Sequence, residues 1–233
     1  MFNARPTKPL NNTPDTLAFF ERATIPTGRK VMLGDASKLP QLAMNHINRA
    51  HEALENGINK VGALHYDETR TEVSKHIVGK KIAYDVCNVI EKAQAGLTAL
   101  ASELNDEGFN KIETAFALDE KRTPIHADIR GFIRELSKKE TGLKEIRDMA
   151  GKNLEFASVL YGTPHYLLGL SEDTYNSINL DLVKKHCPEG AGCFAGSIEL
   201  QKVAGKYPTI IKAVHRSFYN SGLADKGNSR VEH

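Results

Sequence analysis

The chain has 233 residues, of which 40% are hydrophobic and 26% are charged, and its formal net charge is +2 at pH 7. This length suits one large domain or two small ones, and the balance of apolar and charged residues argues against global disorder. The small net charge excludes a strong overall attraction to nucleic acid or to a membrane surface. Three scattered cysteines do not form a disulfide framework, so we expect a reducing compartment.

The first ten residues, Met1 to Leu10, contain no apolar core of the kind found in secretory signals. No apolar run anywhere in the sequence is long enough to cross a bilayer. We therefore expect a chain without a membrane span that is cytoplasmic or virion-associated and is not secreted.

Residues 1–36 are predicted to form an extended N-terminal arm, because four prolines interrupt them and leave little room for regular structure. One short helix is expected inside the arm, with Thr13 as its cap and Pro14 at its first position. The adjacent aromatic residues Phe19 and Phe20 favour an arm that is docked, either on its own chain or on a neighbouring subunit.

A helical domain is predicted for residues 37–188. Its first helix begins at about Ser37 or Pro40 and runs to Glu55, and Gly57 is expected to end it.

The most pronounced pattern in the sequence is a long amphipathic helix from about Glu68 to Leu104, which would measure about 55 Å. Two glycines within it, Gly79 and Gly96, indicate either a bend or a close helix crossing, so the continuity of this helix stays open. Most of its apolar positions are three or four residues apart; they are Val73, Ile77, Ile82, Val86, Val89, Ala93, Leu97, Leu100 and Leu104.

The segment from Asn105 to Gly108 is expected to end the long helix, and further helices follow as far as Cys187. A glycine-rich link, Gly190 to Gly196, is predicted to lead into a C-terminal helical segment and polar tail, which together make up residues 189–233. Sustained alternation of β-branched residues is absent. The predicted fold is therefore all-α, a multi-helix bundle with one long central helix and an extended N-terminal arm.

No segment carries a complete catalytic motif, and we predict a protein that is not an enzyme and needs no cofactor or metal. His186, Cys187 and Cys193 are potential metal ligands, but a fourth ligand is not evident, and packing against the core is the alternative. Four acids near the end of the long helix would suit an all-α magnesium-dependent nucleotide hydrolase only if carboxylates from facing helices converged. These acids are Glu103, Asp106, Glu107 and Glu113.

Residues 161–173, and especially 165–171 (HYLLGLS), resemble the end of repressor-type helix-turn-helix domains, in which a tyrosine, two leucines and a glycine close the last helix. The resemblance implies DNA binding by a helical domain. Upstream the match fails, because Arg147 stands where such a motif has a small residue if Gly151 is its turn glycine. The residues that we would expect to contact nucleic acid are Lys144, Arg147, Lys152, Lys212 and Arg216.

Together these patterns favour a structural or assembly protein that acts as a homo-oligomer or as a subunit of a protein complex. A bacteriophage virion component (connector, tail or internal head protein) is the specific example. The alternative is a helix-turn-helix-like DNA-binding or packaging regulator, and the third hypothesis is an all-α metal-dependent nucleotide hydrolase. The residues expected at the protein interface are Phe19, Phe20, Val73, Ile77 and Ile82.

Overall fold

A computed structural model of the chain describes residues 7–226. Within this range every regular element is a helix and no strand occurs, which confirms the predicted all-α bundle with one long central helix. The α-helices are α1 (Pro14–Thr24), α2 (Pro26–Leu33), α3 (Met44–His65), α4 (Glu72–Ala115), α5 (Thr123–Ser137), α6 (Gly142–Lys152), α7 (Leu154–Tyr161), α8 (Glu172–His186), α9 (Pro188–Ala204), α10 (Tyr207–Phe218) and α11 (Ser221–Lys226).

The helices form two compact units. The first, here called the terminal unit, comprises residues 1–101 and 198–233, and the second, here called the middle unit, comprises residues 102–197. Both boundaries lie inside helices, α4 and α9, whereas the predicted domain boundaries follow residues 36 and 188.

Helix α1 begins where the local signals in the sequence predict it. The Thr13 side chain accepts a hydrogen bond from the Thr16 backbone, the Thr16 hydroxyl accepts one from the Thr13 backbone, and Pro14 follows the cap. Helix α1 packs against α3 and α10 of the same unit, and the Phe20 ring lies 5.7 Å from that of Phe218. Residues 14–33 of the predicted arm are thus not extended but form α1 and α2, which dock on their own chain because their apolar faces pack on α3 and α10.

Arg29, which is only 5% exposed, connects the first three helices. Its Nη1 donates to the Ala23 and Thr24 carbonyl oxygens at 2.8 and 2.9 Å, which are acceptors that the end of α1 leaves without helical partners. Its Nη2 lies 2.9 Å from Glu55 Oε1 on α3. The buried guanidinium therefore satisfies a helix end and makes an ion pair at the same time.

The sequence predicts that helix α3 ends at Gly57, but the helix continues through Gly57 to His65. A Cβ atom at Gly57 would lie 2.5 Å from Val86 Cγ2, so the glycine allows α3 to pack closely on α4. Tertiary packing therefore outweighs the weak intrinsic preference of glycine against a helix.

Helix α4 likewise continues past the predicted stop at Asn105 to Gly108 and ends at Ala115. The prediction of a glycine-rich link at Gly190 to Gly196 is also wrong, because these residues lie inside α9. Both errors have one cause. A Cβ at Gly108 would lie 3.1 Å from the Gly190 carbonyl oxygen, and one at Gly190 would lie 2.7 Å from Ile112 Cγ1, so these glycines bring α4 and α9 together within the middle unit.

The two glycines in the first part of α4 mark close approaches rather than an end to the helix. At Gly79 an added Cβ would lie 2.3 Å from the Phe218 carbonyl oxygen, and at Gly96 it would lie 2.2 Å from the His46 ring. Helix α4 is continuous through both positions.

The middle unit has its own apolar core. The side chains of Ile112, in the last turn of α4, and of Phe116, directly after α4, are buried with residues from α5 to α8. Its other fully buried members include Ile133, Leu136, Ile146, Ala157, Leu160, Leu168 and Ile178.

Candidate functional site

Helix α1 presents two different faces. Thr16, Phe20 and Ala23 are buried in the terminal unit, while the next face of the helix lines an open groove of about 350 Å³. We call it the α1–α10 groove; it is formed by Asp15, Ala18, Phe19 and Arg22 of α1, Met32 of α2, and Thr209, Ile210 and Ala213 of α10. The α1 positions are three or four residues apart, so they form one continuous wall.

The floor of the α1–α10 groove is apolar, and its ends carry two cations, Arg22 and Arg216, and one acid, Asp15. Arg22 lies at one end of the α1 wall, and the Arg216 guanidinium lies at the other, 3.9 Å from the Asp15 carboxylate. Lys212 is one turn from Thr209 and from Arg216 on α10. The side chains of Arg22, Lys212 and Arg216 are all exposed. The structure thus places Arg216, a residue predicted for nucleic-acid contact, at one end of the groove that Phe19, a predicted interface residue, lines.

The other predicted interface residues lie elsewhere in the terminal unit. Phe20 is 1% exposed and belongs to the core, whereas Ile77 is 40% exposed, and Val73 and Ile82 are partly exposed. The buried face of α4 in this unit is formed instead by Ala83, Val86, Cys87, Ile90, Ala93 and Leu97. Of this set, Phe19 lines the α1–α10 groove, and Ile82 lines a smaller pocket of about 200 Å³ between α3 and α4.

A second, larger pocket of about 800 Å³ lies within the middle unit. It brings the acids of α4 close to the start of α9, where Lys111 Nζ lies 2.9 Å from Glu107 Oε1 and 3.0 Å from Glu189 Oε2. These two hydrogen bonds raise the pKa of Lys111. The pocket is lined by Glu103, Asp106, Glu107, Asn110, Lys111, Thr114, Ala115, His186, Cys187, Pro188 and Glu189.

This pocket does not assemble a metal centre from the residues that the structure describes. Between residues 7 and 226, no group of three or more His, Cys, Asp or Glu side chains is placed to hold an ion. His186 Nε2 lies 2.7 Å from the Ala150 carbonyl oxygen and donates to it, while Cys187 is buried and Cys193 partly exposed. The geometry therefore offers no support for a metal-dependent reaction here.

Cys87 has the surroundings of a core residue. Burial raises the pKa of its thiol to about 12, so the thiolate form required for nucleophilic chemistry is scarce at neutral pH.

The residues predicted to contact nucleic acid from the middle unit are in different surroundings. Lys144 and Lys152 are exposed, whereas Arg147 makes an ion pair with Asp181 and donates to Ser177 Oγ at 3.0 Å. Gly151, the candidate turn glycine, lies inside α6. Helices α6 and α7 are separated only by a single residue, Asn153, which caps α7. A helix-turn-helix has a turn of three or four residues between its helices, so α6 and α7 do not form that unit.

Charge is divided unequally between the two units, a feature that the net charge of the whole chain conceals. The terminal unit contains 19 Lys and Arg against 13 Asp and Glu, whereas the middle unit contains 12 against 16. The middle unit is thus acidic, which disfavours its binding to phosphate backbones. Sequence reasoning missed this division because it requires the unit boundaries.

No known protein family, no curated protein and no solved structure matches this chain. In the part of the chain that the structure describes, no helix has the length and apolar character needed to span a membrane.

Proposed function

We propose that this chain is a structural or assembly protein that works by binding further copies of itself or other subunits of a complex. The observation that carries the proposal is the α1–α10 groove. It is an apolar furrow between two helices with charged residues at its rim, which is the form of surface that receives an amphipathic helix.

The base of the groove is formed by well-packed, buried side chains, which supports its role as a binding site. Directly beneath its α1 wall, Phe20 packs on Phe218 of α10, and Tyr207 at the start of α10 is fully buried. The Tyr207 hydroxyl donates to the Leu33 carbonyl oxygen at 3.0 Å, which connects α10 to the end of α2. A site whose walls are already ordered loses little conformational entropy when a partner binds.

The specific example within this class is a bacteriophage virion component (connector, tail or internal head protein). Such assemblies repeat one subunit many times, so each copy needs a surface that receives its neighbour. The α1–α10 groove supports the general class and leaves the choice among its members to experiment.

The test is the mass of the protein in solution, measured by light scattering after size exclusion from about 1 to 100 µM, where contacts of moderate affinity become occupied. We expect a defined oligomer. Phe19→Asp is expected to raise the dissociation constant more than tenfold, because burying one phenylalanine is worth about 1.5–3 kcal/mol and the introduced charge opposes burial.

Leu42→Ser is the matched control, since Leu42 is 70% exposed and does not line the groove. Circular dichroism must show unchanged helicity in both variants. Deleting residues 1–24 would be less informative, because it removes Phe20 and uncovers Phe218 in the core. A wild-type monomer at every concentration, or equal masses for wild type and Phe19→Asp, would refute assembly through this groove.

The DNA-binding alternative shares Arg216 with the proposed site. It would be supported if duplex DNA bound with an affinity that falls steeply as salt rises, and if Lys144→Ala with Lys152→Ala weakened that binding. The third hypothesis, a metal-dependent nucleotide hydrolase, gains no support from the pocket of the middle unit, where the described residues place no three His, Cys, Asp or Glu side chains together to hold an ion.

A further inference from the structure

The α1–α10 groove suits an occupant with an apolar centre and acidic flanks, because its floor is apolar and the exposed cations Arg22 and Arg216, the latter 3.9 Å from Asp15, lie at its two ends. One of these cations, Arg22, lies on α1, and the other, Arg216, contacts Asp15 of α1. Asp15 and Arg22 are seven positions apart in the sequence. Seven helical residues span about 10.5 Å. A matching helix would therefore carry two acids at about that separation with an apolar side chain between them.

One segment of the middle unit has this pattern. Asp106, Phe109 and Glu113 of α4 are spaced by three and four residues, so their side chains leave the helix on one side. We call them the acidic ridge. Phe109 is 51% exposed, and Asp106 and Glu113 are exposed and again seven residues apart, about 10.5 Å along the helix.

The acidic ridge has the properties of an unoccupied contact surface. An exposed aromatic side chain with an acid on each side is complementary to an apolar groove with a cation at each end. Neither Asp106 nor Glu113 makes an ion pair with any residue between 7 and 226. Nearby Glu107, in contrast, is already paired with Lys111.

We propose that the α1–α10 groove of one copy binds the acidic ridge of a second copy, with Phe109 on the apolar floor and the two acids beside Arg22 and Arg216. This inference rests on the proposed function and names its partner segment. Because the groove belongs to the terminal unit and the ridge to the middle unit, the contact joins two different surfaces. Such a heterologous contact leaves a groove and a ridge free at the ends, so it generates rings or filaments.

The experiment uses two full-length variants that each lose one side of the contact, Phe19→Asp in the groove and Phe109→Asp in the ridge. Each variant alone is expected to be monomeric by light scattering. Mixed in equal amounts, they are expected to form a heterodimer of twice the 25.7 kDa chain mass and nothing larger, because one intact groove meets one intact ridge. Phe132→Asp is the control, since Phe132 is 46% exposed on α5 and outside the ridge; it should assemble like the wild type.

The outcomes separate this inference from the proposed function. If wild type assembles and Phe19→Asp does not, but Phe109→Asp still assembles, the groove binds something other than the ridge and the inference is wrong. Two monomeric variants that stay monomeric when mixed would show that the intact groove of one copy does not bind the intact ridge of another, and would also overturn it. A monomeric wild type would refute the proposed function itself.

A charge exchange keeps the test decisive if an aspartate in place of phenylalanine unfolds the chain. Arg22→Glu with Arg216→Glu, and separately Asp106→Lys with Glu113→Lys, should each weaken assembly at least tenfold. Combining all four changes in one chain should restore it, because the charges are again complementary. Failure of the combined variant to assemble, with normal helicity, would contradict the pairing.

Discussion

A single buried histidine shows how one residue of the terminal unit is positioned by its surroundings. His76 on α4 is only 3% exposed, and its Nδ1 accepts a hydrogen bond of 3.0 Å from the backbone N–H of Asn220, just beyond α10. An imidazole that accepts at Nδ1 is neutral and carries its proton on Nε2. Burial lowers the pKa of His76, and only part of this effect is offset by the nearby Glu72 carboxylate.

This lowered pKa predicts a loss of stability in mild acid. Below pH of about 6.5 the unfolded chain takes up a proton that folded His76 resists, so the free energy of unfolding falls until the pH reaches the folded pKa. One such group contributes a slope of at most about 1.4 kcal/mol per pH unit. His76→Asn keeps an acceptor for Asn220 without titrating, so urea unfolding between about pH 7 and 5 should show a shallower slope in this variant. Identical slopes would show that His76 is already protonated or exposed in the folded chain.

The two adjacent phenylalanines show how far reasoning about single residues extends. Thr13 and Pro14 predicted the start of α1 correctly because capping depends only on residues within one turn. Phe19 and Phe20, in contrast, are adjacent in sequence but differ in their surroundings. Phe19 lines the groove, whereas Phe20 is buried against Phe218. The packing of α10 on α1 determines which of the two rings is covered. The α10 residue that covers Phe20 is Phe218, which lies far from it in the sequence.

At the scale of the helices, glycine accounts for most of the differences between the predicted and observed elements. A helix stop at Gly57, another at Gly108 and a link from Gly190 onward were predicted from the usual role of glycine at helix ends. In the structure all three residues lie inside helices, at positions where a Cβ atom would meet a packed neighbour. The same residue type serves both purposes, so its neighbours in space decide its role.

Two glycines of α9 offer a matched test of this explanation. A Cβ at Gly190 would lie 2.7 Å from Ile112 Cγ1 and 2.9 Å from Cys187 Sγ, whereas one at Gly192 would have nothing within 4 Å. Gly190→Ala should therefore lower the free energy of unfolding by about 1–2 kcal/mol, because overpacking exceeds the gain in helix propensity. Gly192→Ala should raise it by about 0.5–1 kcal/mol. Urea unfolding compares them, and a stabilising Gly190→Ala would contradict close packing of α9 on α4.

For the whole molecule, the unequal distribution of charge matters more than the net charge of +2. A basic terminal unit and an acidic middle unit favour contacts between unlike surfaces of successive copies and disfavour contacts between like surfaces. This gives the proposed head-to-tail assembly a direction. It also makes the assembly dependent on salt.

We accordingly predict that self-association weakens several-fold as sodium chloride rises from about 0.05 to 0.5 M, because the screening length falls to a few ångströms. Arg216→Gln should reduce this salt dependence, since it removes one cation from the rim of the groove. Lys138→Gln is the control, because Lys138 is paired locally with Glu135 on α5 and should leave the salt dependence unchanged. Light scattering across the salt series measures all three chains. Association that is insensitive to salt would imply an apolar contact alone.

Local sequence patterns predicted the class of the fold, the presence of the long helix and the start of α1 correctly. Each of these depends on local information, namely the 3.6-residue period of apolar side chains and the hydrogen-bonding of a cap. Three other properties depend on tertiary packing: which glycines permit close packing, how charge divides between the units, and which face of α1 meets α10 to form the groove. These properties arise from contacts between segments far apart in the chain, and local periodicity states which residues share a face but not what that face will meet.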